Sequence, residues 1–578
     1  MRLRKLLLSL SCLLVLMASA QWRWVDPLRC GYPVVQNQGW TDEIGKSYTR
    51  LPERAKERVR KPVWELSRNS AGLAIRFYSN ASELRVSYTV AGSLAMPHMP
   101  VTGVSGVDLY SVDCDGKWRF LFGGYPGGDT LRYHYTRLQQ DPYHDRGREY
   151  CLYLPLYNTV KELRIGLPEG DSIAFVPVRP ERPIVVYGTS IAQGACASRP
   201  GMAWTNRVQR SLDLPLVNLG FSGNGRLEPE LIGLMGELDA RLYILDCLPN
   251  LADRSGEEVE RLLTAAVRRL RSVRQAPILL VEHVGYSSAN IDSLGTQNVS
   301  RVNEASRRAF SLLRKEGIGD LYYLSREELG LAPDAWTDYI HPSDWGMSAQ
   351  AEAVTRKARE ILAMPIGKVS TERPVTQRRE PGSYEWLRRH EQILALNRSN
   401  PPKAVILGNS ITNYWGGEPV AHRRSGVESW ERVMRPAGFH NLGYGWDRIE
   451  NVLWRVYHDE LSGYEAEKVV LMIGTNNMGF NTDDEIVDGL RFLLAAIRER
   501  QPKAAIKVVG ILPRRNAEAW VRGINLRIRQ MAESAGYRFV NPGERLLGAD
   551  GKVDESLFSD GLHPNEAGYN RIVEEIAR

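Results

Sequence analysis

The sequence predicts an α/β protein, with an all-β sandwich followed by two successive parallel-sheet units. Three observations predict it. Residues 21–178 alternate apolar and polar side chains between turn signals, as half-buried strands do. From Arg182 onward, short apolar runs alternate with amphipathic helical stretches, the pattern of a parallel sheet covered on both faces. That second pattern is written twice, with the same landmarks in the same order. Gly188-Thr189-Ser190 opens one copy and Asp338…His341 closes it; Gly408-Asn409-Ser410 and Asp560…His563 do the same for the other.

In the first region, period-two runs fall at 74–78, 83–88, 107–110, 118–120, 148–154 and 160–165. Asn80, Asp115-Gly116, Gly127-Gly128-Asp129 and Gly170-Asp171 separate them. This spacing predicts a sandwich or jelly roll over 21–178. The first α/β unit, 179–365, has apolar strands at 184–187, 216–219, 240–245, 278–281 and 320–323, with helices at 257–273, 300–315 and 348–362. Residues 366–397 read as a polar linker, punctuated by Pro374 and Pro381, and a lead-in helix over 384–397. The second unit, 398–578, places strands at 404–407, 439–442, 468–473, 506–511 and 538–540, and a closing helix at 566–577. The two halves read as divergent copies of one unit.

Residues 1–20 read as a signal peptide. Arg2, Arg4 and Lys5 precede a short apolar run, and Ala18-Ser19-Ala20 fits cleavage after Ala20. The run is short for a membrane span, Cys12 lacks a lipoprotein context, and no later stretch is apolar enough to cross a bilayer. The expectation is an exported chain, periplasmic or secreted. A composition of 43% hydrophobic and 25% charged residues is that of an ordinary globular protein. A net charge of +7 is small for 578 residues, and the arginine-rich pieces lack the basic-aromatic patterning of a nucleic-acid surface. Behind the signal stand Cys30, Cys114, Cys151, Cys196 and Cys247, an odd set that leaves room for one or two disulfides. No cysteine–histidine spacing suggests zinc.

Ser190 and Ser410 each follow an apolar strand and open a helical stretch, so each is delivered to the crevice above a parallel sheet. A serine hydroxyl needs a base, and the base needs a carboxylate to fix its tautomer. Asp338 with His341, and Asp560 with His563, put both groups on one loop, before Pro342 and Pro564. Either motif alone is common; the ordered pair occurring twice carries the reading.

With these blocks in view, the chain resembles the SGNH or GDSL hydrolases. The resemblance implies flavodoxin-like three-layer α/β/α domains and a serine esterase that needs no metal or cofactor. In the first unit, Ser190 matches the first block and Asp338 with His341 the last. Gly223 matches the glycine whose N–H lines the oxyanion hole, and Asn250 stands for the oxyanion amide in a block, Asp246–Asn250, that departs from the family pattern. In the second unit Ser410, Asn476, Asp560 and His563 match. The block-two glycine is displaced, with Trp446 at its register, so the donor is Gly445 or Trp446. The stretch from Asn451 to Arg455 is similar to the platelet-activating-factor acetylhydrolase branch. Gly106, Asp108, Leu109 and Tyr110 resemble the Gly-x-Asp-Leu-Tyr module found ahead of such units.

Exported two-unit proteins of this kind resemble bacterial carbohydrate O-acetylesterases. The expected substrate is an acetylated glycan or small ester, with acetylated sialic acid leading and xylan or pectin acetyl groups as further candidates. A lipase or lysophospholipase is a second reading, without an obvious apolar lid to favour it. A glycan-binding protein with inactive sites is a third. Arg199 is weighed as a binder of an anionic or polyol substrate against a salt bridge that ties down its loop. Glu282-His283 reads as packing more than cleft. Trp415, Trp446 and Trp454 are weighed for sugar stacking, Trp454 more as core, while Asp108 and Tyr110 are expected to be structural.

Overall fold

The computed structural model describes residues 21–288, 291–379 and 385–578. The proposed signal peptide, 1–20, lies outside the described residues. Among those described, no helix is long and apolar enough to cross a membrane, and no disulfide joins the five cysteines. The described residues fall into two compact units, one drawn from 21–112, 118–141 and 146–362, the other from 113–117, 142–145 and 363–578.

Ten strands make the N-terminal sandwich: β1 (Trp22–Val25), β2 (Val35–Gln36), β3 (Ala74–Ser79), β4 (Leu84–Val90), β5 (Asp108–Val112), β6 (Trp118–Leu121), β7 (Leu131–Tyr135), β8 (Arg148–Tyr153), β9 (Val160–Pro168) and β10 (Ile173–Phe175). They form two antiparallel sheets, one ordered β1-β9-β4-β7 and the other β10-β3-β8-β5-β6 with β2 on β3. The alternating apolar positions, such as Leu84, Val86, Tyr88, Leu163 and Ile165, meet Ile75, Phe77, Leu109 and Leu152 in one core. Residues 40–63 do something the alternation does not announce. They fold into short helices, and Trp40, Leu51, Ala55, Val59 and Val63 enter the core of the following α/β sheet.

That sheet contains β11 (Ile184–Gly188), β12 (Leu216–Gly220), β13 (Leu242–Asp246), β14 (Ile278–Val281) and β15 (Leu321–Leu324), all parallel and ordered β12-β11-β13-β14-β15. Helices Trp204–Leu212 and Asp344–Ile361 pack together; Pro229–Glu237, Gly256–Arg271 and Ser293–Lys315 form another packed group. The second unit repeats the plan with β16 (Ala404–Gly408), β17 (Phe439–Gly443), β18 (Lys468–Met472), β19 (Ala505–Val509) and β20 (Arg538–Val540), ordered β17-β16-β18-β19-β20. In both sheets the chain reverses direction of growth at the first strand. This is the flavodoxin-like order, whose switch point opens a crevice at the strand C-termini.

The stretch read as a linker is not solvent-borne where it is described. Thr371, Thr376, Gln377, Arg378 and Arg379 are buried. Gln377 Nε2 donates to Gly445 O at 2.8 Å, and Val375 O accepts from Asn451 Nδ2 at 2.9 Å. Side chain and backbone groups of this segment are paired with groups of the following α/β unit in both directions, so polarity marks a strap and not a tether.

One device recurs at the edge of each parallel sheet. Asn218 on β12 sends Nδ2 to Ala192 O (2.8 Å) and Thr205 Oγ1 (3.0 Å). Asn441 on β17 sends Nδ2 to the carbonyls of Thr412 and Gly416 at 2.7 and 2.6 Å. The free edge of each strand is then closed by a buried arginine from the segment ahead of the unit. Arg50 Nη1 donates to Asn218 O (3.2 Å) and Gly220 O (2.7 Å). Arg389 donates to Gly443 O (2.8 Å) and Asn441 O (3.3 Å), the matching positions. Each guanidinium also lies over the next aromatic ring, Phe221 at 4.9 Å and Tyr444 at 5.3 Å. Unpaired edge carbonyls in a buried setting are costly. Arg389→Met is therefore expected to destabilise the second unit, and Arg50→Met the first, each by about 2 kcal/mol or more. Urea unfolding with hydrogen exchange read on the β12 and β17 peptides checks this, and unchanged midpoints and protection would refute the edge-closing role.

Candidate active site

Ser190 and Ser410 are the first residues of one-turn helices, Ser190–Gln193 and Ser410–Asn413. The residue before each serine caps its helix through a side-chain oxygen: Thr189 accepts the Ile191 N–H at 3.3 Å, and Asn409 accepts the Ile411 N–H at 3.0 Å. The serine N–H, at a helix start, has no partner within the helix and is free to face the crevice. Gly188 and Gly408 end the strands because the helix turns back tightly; a Cβ at either would run into Ala192 or Thr412.

The two loops carrying Asp-x-x-His close onto these serines. His341 Nε2 lies 3.0 Å from Ser190 Oγ, and its Nδ1 lies 2.8 Å from Asp338 Oδ2. His563 Nε2 lies 2.8 Å from Ser410 Oγ, and its Nδ1 lies 2.8 Å from Asp560 Oδ2. The three-residue gap has a local reason. Asp338 Oδ1 accepts the N–H groups of Ile340 (2.8 Å) and His341 (2.7 Å), and Asp560 Oδ1 accepts those of Leu562 (3.0 Å) and His563 (2.8 Å). One oxygen shapes the loop while the other faces the imidazole.

Electrostatics fits this wiring. Burial alone would raise both aspartates, but the backbone and histidine bonds prevail. Asp338 is held below its ordinary range, and Asp560 is held at about 2. Burial draws His563 below its ordinary value, against the pull of Asp560. Arg423 stands 3.6 Å from Asp560 and 5.4 Å from the Tyr414 ring centroid, a group the motifs do not mark. Tyr414 is itself against His563, with ring centroids 5.1 Å apart.

The block-two and block-three residues meet beside each serine loop. Gly223 has φ of +68°. Trp446, at the same offset from its strand asparagine, takes φ of +62°, so a tryptophan adopts the hand that a glycine adopts in the first unit. An L-residue there costs about 1–2 kcal/mol, and Trp446 remains 53% exposed, so burial of its ring does not offset the cost. Gly445 is buried and its carbonyl is held by Gln377. The block-three asparagines are tied to the block-two loops with opposite polarity. Asn250 Oδ1 accepts the Gly225 N–H at 3.0 Å, whereas Asn476 Nδ2 donates to Asp447 O at 3.0 Å. In the first unit a short turn, Leu248–Leu251, returns Asn250 to that loop despite the departing block. Asp246, at the strand end, is buried with Gln350 3.2 Å away, and burial pushes its carboxyl up to about 7.

Beneath the second site lies a buried charge cluster. Arg455 donates to Asp447 Oδ2 (2.9 Å), Glu460 Oε2 (2.7 Å) and Leu442 O (3.0 Å). Burial works against all three ionised groups. Arg455, with His390 and Tyr444, nevertheless holds Glu460 at about 2, while Asp447 is pushed up to about 6. The cluster fixes the chain just past Trp446.

Other residues that the sequence singles out make defined contacts. Arg199 makes the salt bridge weighed for it: Nη1 binds Asp108 Oδ2 (2.7 Å) and Tyr110 Oη (2.8 Å), so it ties the loop after Ser190 to the sandwich. Asp108 also accepts the Gly201 N–H at 2.7 Å, which gives the Asp-Leu-Tyr signature its structural task. Trp415 and Trp454 are core residues, the latter stacked on His458 at 3.6 Å. Glu282 pairs with Arg307 at 2.6 Å; His283 is fully buried and accepts the Gly285 N–H at 2.9 Å. Burial drops its pKa to about 3, so it stays neutral. Motif reading did not mark His98 or Cys196. The His98 ring stacks on His341 at 5.4 Å, and Cys196 lies buried with Sγ 4.0 Å from Asp338 Oδ2.

The chain is similar to known proteins. Residues 181–359 and 406–571 each match the GDSL-like lipase/acylhydrolase family, and residues 22–173 match the family described as the N-terminus of SGNH-hydrolase-type esterases. The alpha1 subunit of platelet-activating factor acetylhydrolase IB from Bos taurus is 28% identical over 196 residues, 33% of this chain and 80% of the relative. Its alpha2 counterpart is 26% identical over 200 residues, 34% of this chain and 83% of the relative. A crystal structure described as a GDSL-like lipase from Bacteroides ovatus has 31% identity and a TM-score of 0.54, covering 59% of this chain and 98% of that one. With both hydrolase segments and the β module matched, the chain belongs to the GDSL-like lipase/acylhydrolase family of SGNH esterases.

Proposed function

We propose that this chain is a two-site esterase that removes O-acetyl groups from carbohydrate, acetylated sialic acid being the leading candidate. The observation that carries the esterase chemistry is the pair of serine–imidazole contacts, 3.0 and 2.8 Å, each backed by an ionised aspartate. Serine Oγ attacks the ester carbonyl as Nε2 takes its proton. The aspartate holds Nδ1–H and stabilises the imidazolium. The tetrahedral oxyanion is received by the serine N–H, by the block-two N–H (Gly223 in one site, Trp446 in the other) and by the amide of Asn250 or Asn476. Trp446 is assigned over Gly445 because it carries the same backbone hand as Gly223. Loss of one such donor costs about 3–4 kcal/mol of barrier. Imidazolium then protonates the leaving alcohol, and water repeats the cycle on the acyl-serine.

Acetyl as the acyl group is supported by the acetylhydrolase names of the Bos taurus relatives. A polyhydroxylated alcohol is supported by aromatic faces on loops that carry or flank site residues. Trp446 and Phe480 are exposed, with the Arg448 guanidinium 3.6 Å from the Phe480 centroid. In the first unit Tyr339, between Asp338 and His341, is exposed and stacks on Tyr286 at 4.5 Å. Such faces suit the apolar side of a sugar ring.

Ser190→Ala and Ser410→Ala are each expected to keep part of the p-nitrophenyl acetate turnover, and the double variant to lose at least about a thousandfold. Preference for acetyl over octanoyl esters, followed by acetate release from acetylated sialic acid, xylan or pectin, tests the substrate. Turnover that survives in the double variant would refute the assigned nucleophiles. In Ser190→Ala, where only Ser410 works, the acid limb of kcat/KM reports His563 in the free enzyme. Burial lowers that pKa, so the base stays neutral to lower pH and the limb should fall below the ordinary 6.5. A limb at or above that value would contradict the buried imidazole.

A further inference from the structure

Three groups from three separate segments converge on the edge of the first triad. His98 comes from the sandwich loop between Met96 and Met99, Cys196 from the loop after the nucleophile helix, and His341 from the triad loop. One ligand atom from each lies within 4.8 Å of the others, and this is the group of three histidine, cysteine or carboxylate ligands that can hold a metal among the described residues. Cys196 is buried, takes φ of +66°, and points its sulfur toward the His98 carbonyl at 3.3 Å. The serine mechanism uses neither Cys196 nor His98. Two imidazoles and a thiol form a soft donor set, which selects zinc-like cations over magnesium or calcium. In a tetrahedral zinc site, with bonds of about 2.0–2.3 Å, ligand atoms stand about 3.5 Å apart, so modest side-chain movement closes the set.

We propose that His98, Cys196 and His341 form an inhibitory site for a zinc-class divalent cation, particular to the first hydrolase unit. On binding, the Cys196 thiol gives its proton to solvent as the sulfur–metal bond forms, and each imidazole donates a nitrogen lone pair; no oxidant or reductant takes part. His341 cannot hold the metal and also complete the relay. Capture of Nε2 removes the base from Ser190, and capture of Nδ1 removes its bond to Asp338. The open fourth position goes to water. Among the described residues the second unit has no such set: Gly416 stands at the offset from Ser410 that Cys196 has from Ser190, and Tyr414 lies against His563 where His98 lies against His341. The cation would therefore silence one site and spare the other.

The inhibitory effect rests on the esterase reading; binding does not, and the two are measured separately. Binding is read with cobalt(II) on the full chain, as a near-ultraviolet thiolate-to-cobalt charge-transfer band. The band should appear in the wild type and in Ser190→Ala and vanish in Cys196→Ser and Cys196→Ala. Inhibition is read with zinc on Ser410→Ala, which should lose ester turnover at least about tenfold and recover with EDTA, while Ser190→Ala keeps its turnover. His98→Ala or Cys196→Ser, placed in the Ser410→Ala chain and confirmed folded by circular dichroism, should raise the zinc concentration for half inhibition at least about tenfold. Absence of the band overturns the site, as does inhibition that persists unchanged in both variants. A band in a Ser410→Ala chain that hydrolyses no ester would retain the metal site and sink the esterase assignment of the first unit.

Discussion

Each active site depends on how closely the second strand of its sheet approaches the helix that begins with serine. Gly220 and Gly443 lie so near the backbone of Gln193 and Asn413 that neither tolerates a Cβ. Asn218 and Asn441 span the same gap with their amides. Serine turn, block-two loop and strand edge are thereby joined in one packed piece, and the proposed oxyanion donors take their position from it. Preorganised donors of this kind stabilise developing charge without reorganising during the reaction. Everything outside that piece is arranged to hold it: the arginines on the outer edge, the strap at Gly445 and the loop-shaping oxygen of each aspartate.

Much of this was legible in the sequence because it is local. Strand runs, the two serines and the Asp-x-x-His pairs are set by periodicity and by contacts only a few residues apart, and they emerge where the pattern puts them. Asn250 of the departing block also lies beside the block-two loop, since a short turn suffices to return it to Gly225. What stayed hidden depends on distant partners. Nothing in residues 40–63 says that their apolar side chains belong to a sheet that starts at Ile184. Buried Gln377 imitates a linker residue because its partners, Gly445 and Asp447, lie some 70 positions away. The backbone hand of Trp446 is invisible without a fold to impose it, and His98 and Cys196 offer no ligand spacing.

The two sites are alike in relay and unlike in surroundings. Asp560 has Arg423 nearby, a buried charge cluster fixes the block-two loop of its unit, and its histidine sits against Tyr414. Asp338 instead has a thiol within 4.0 Å, and its histidine lies against a second imidazole. The relay tolerates such different neighbours because its own bonds are short and local. What the neighbours change is which other chemical species the site can admit.

The edge arginine bears on how such a unit is inherited. Arg50 lies in the leader of the first unit, amid side chains that complete its core; Arg389 lies on the helix Trp386–Ser399 that introduces the second. A copy of the α/β segment alone would carry an open strand beside its nucleophile. A unit of this plan therefore needs its own source of that guanidinium, and in the second unit the helix Trp386–Ser399 with its one edge-facing arginine meets the need where the first unit uses part of a whole domain. The boundary of a transplantable catalytic module lies upstream of its sheet, at that arginine.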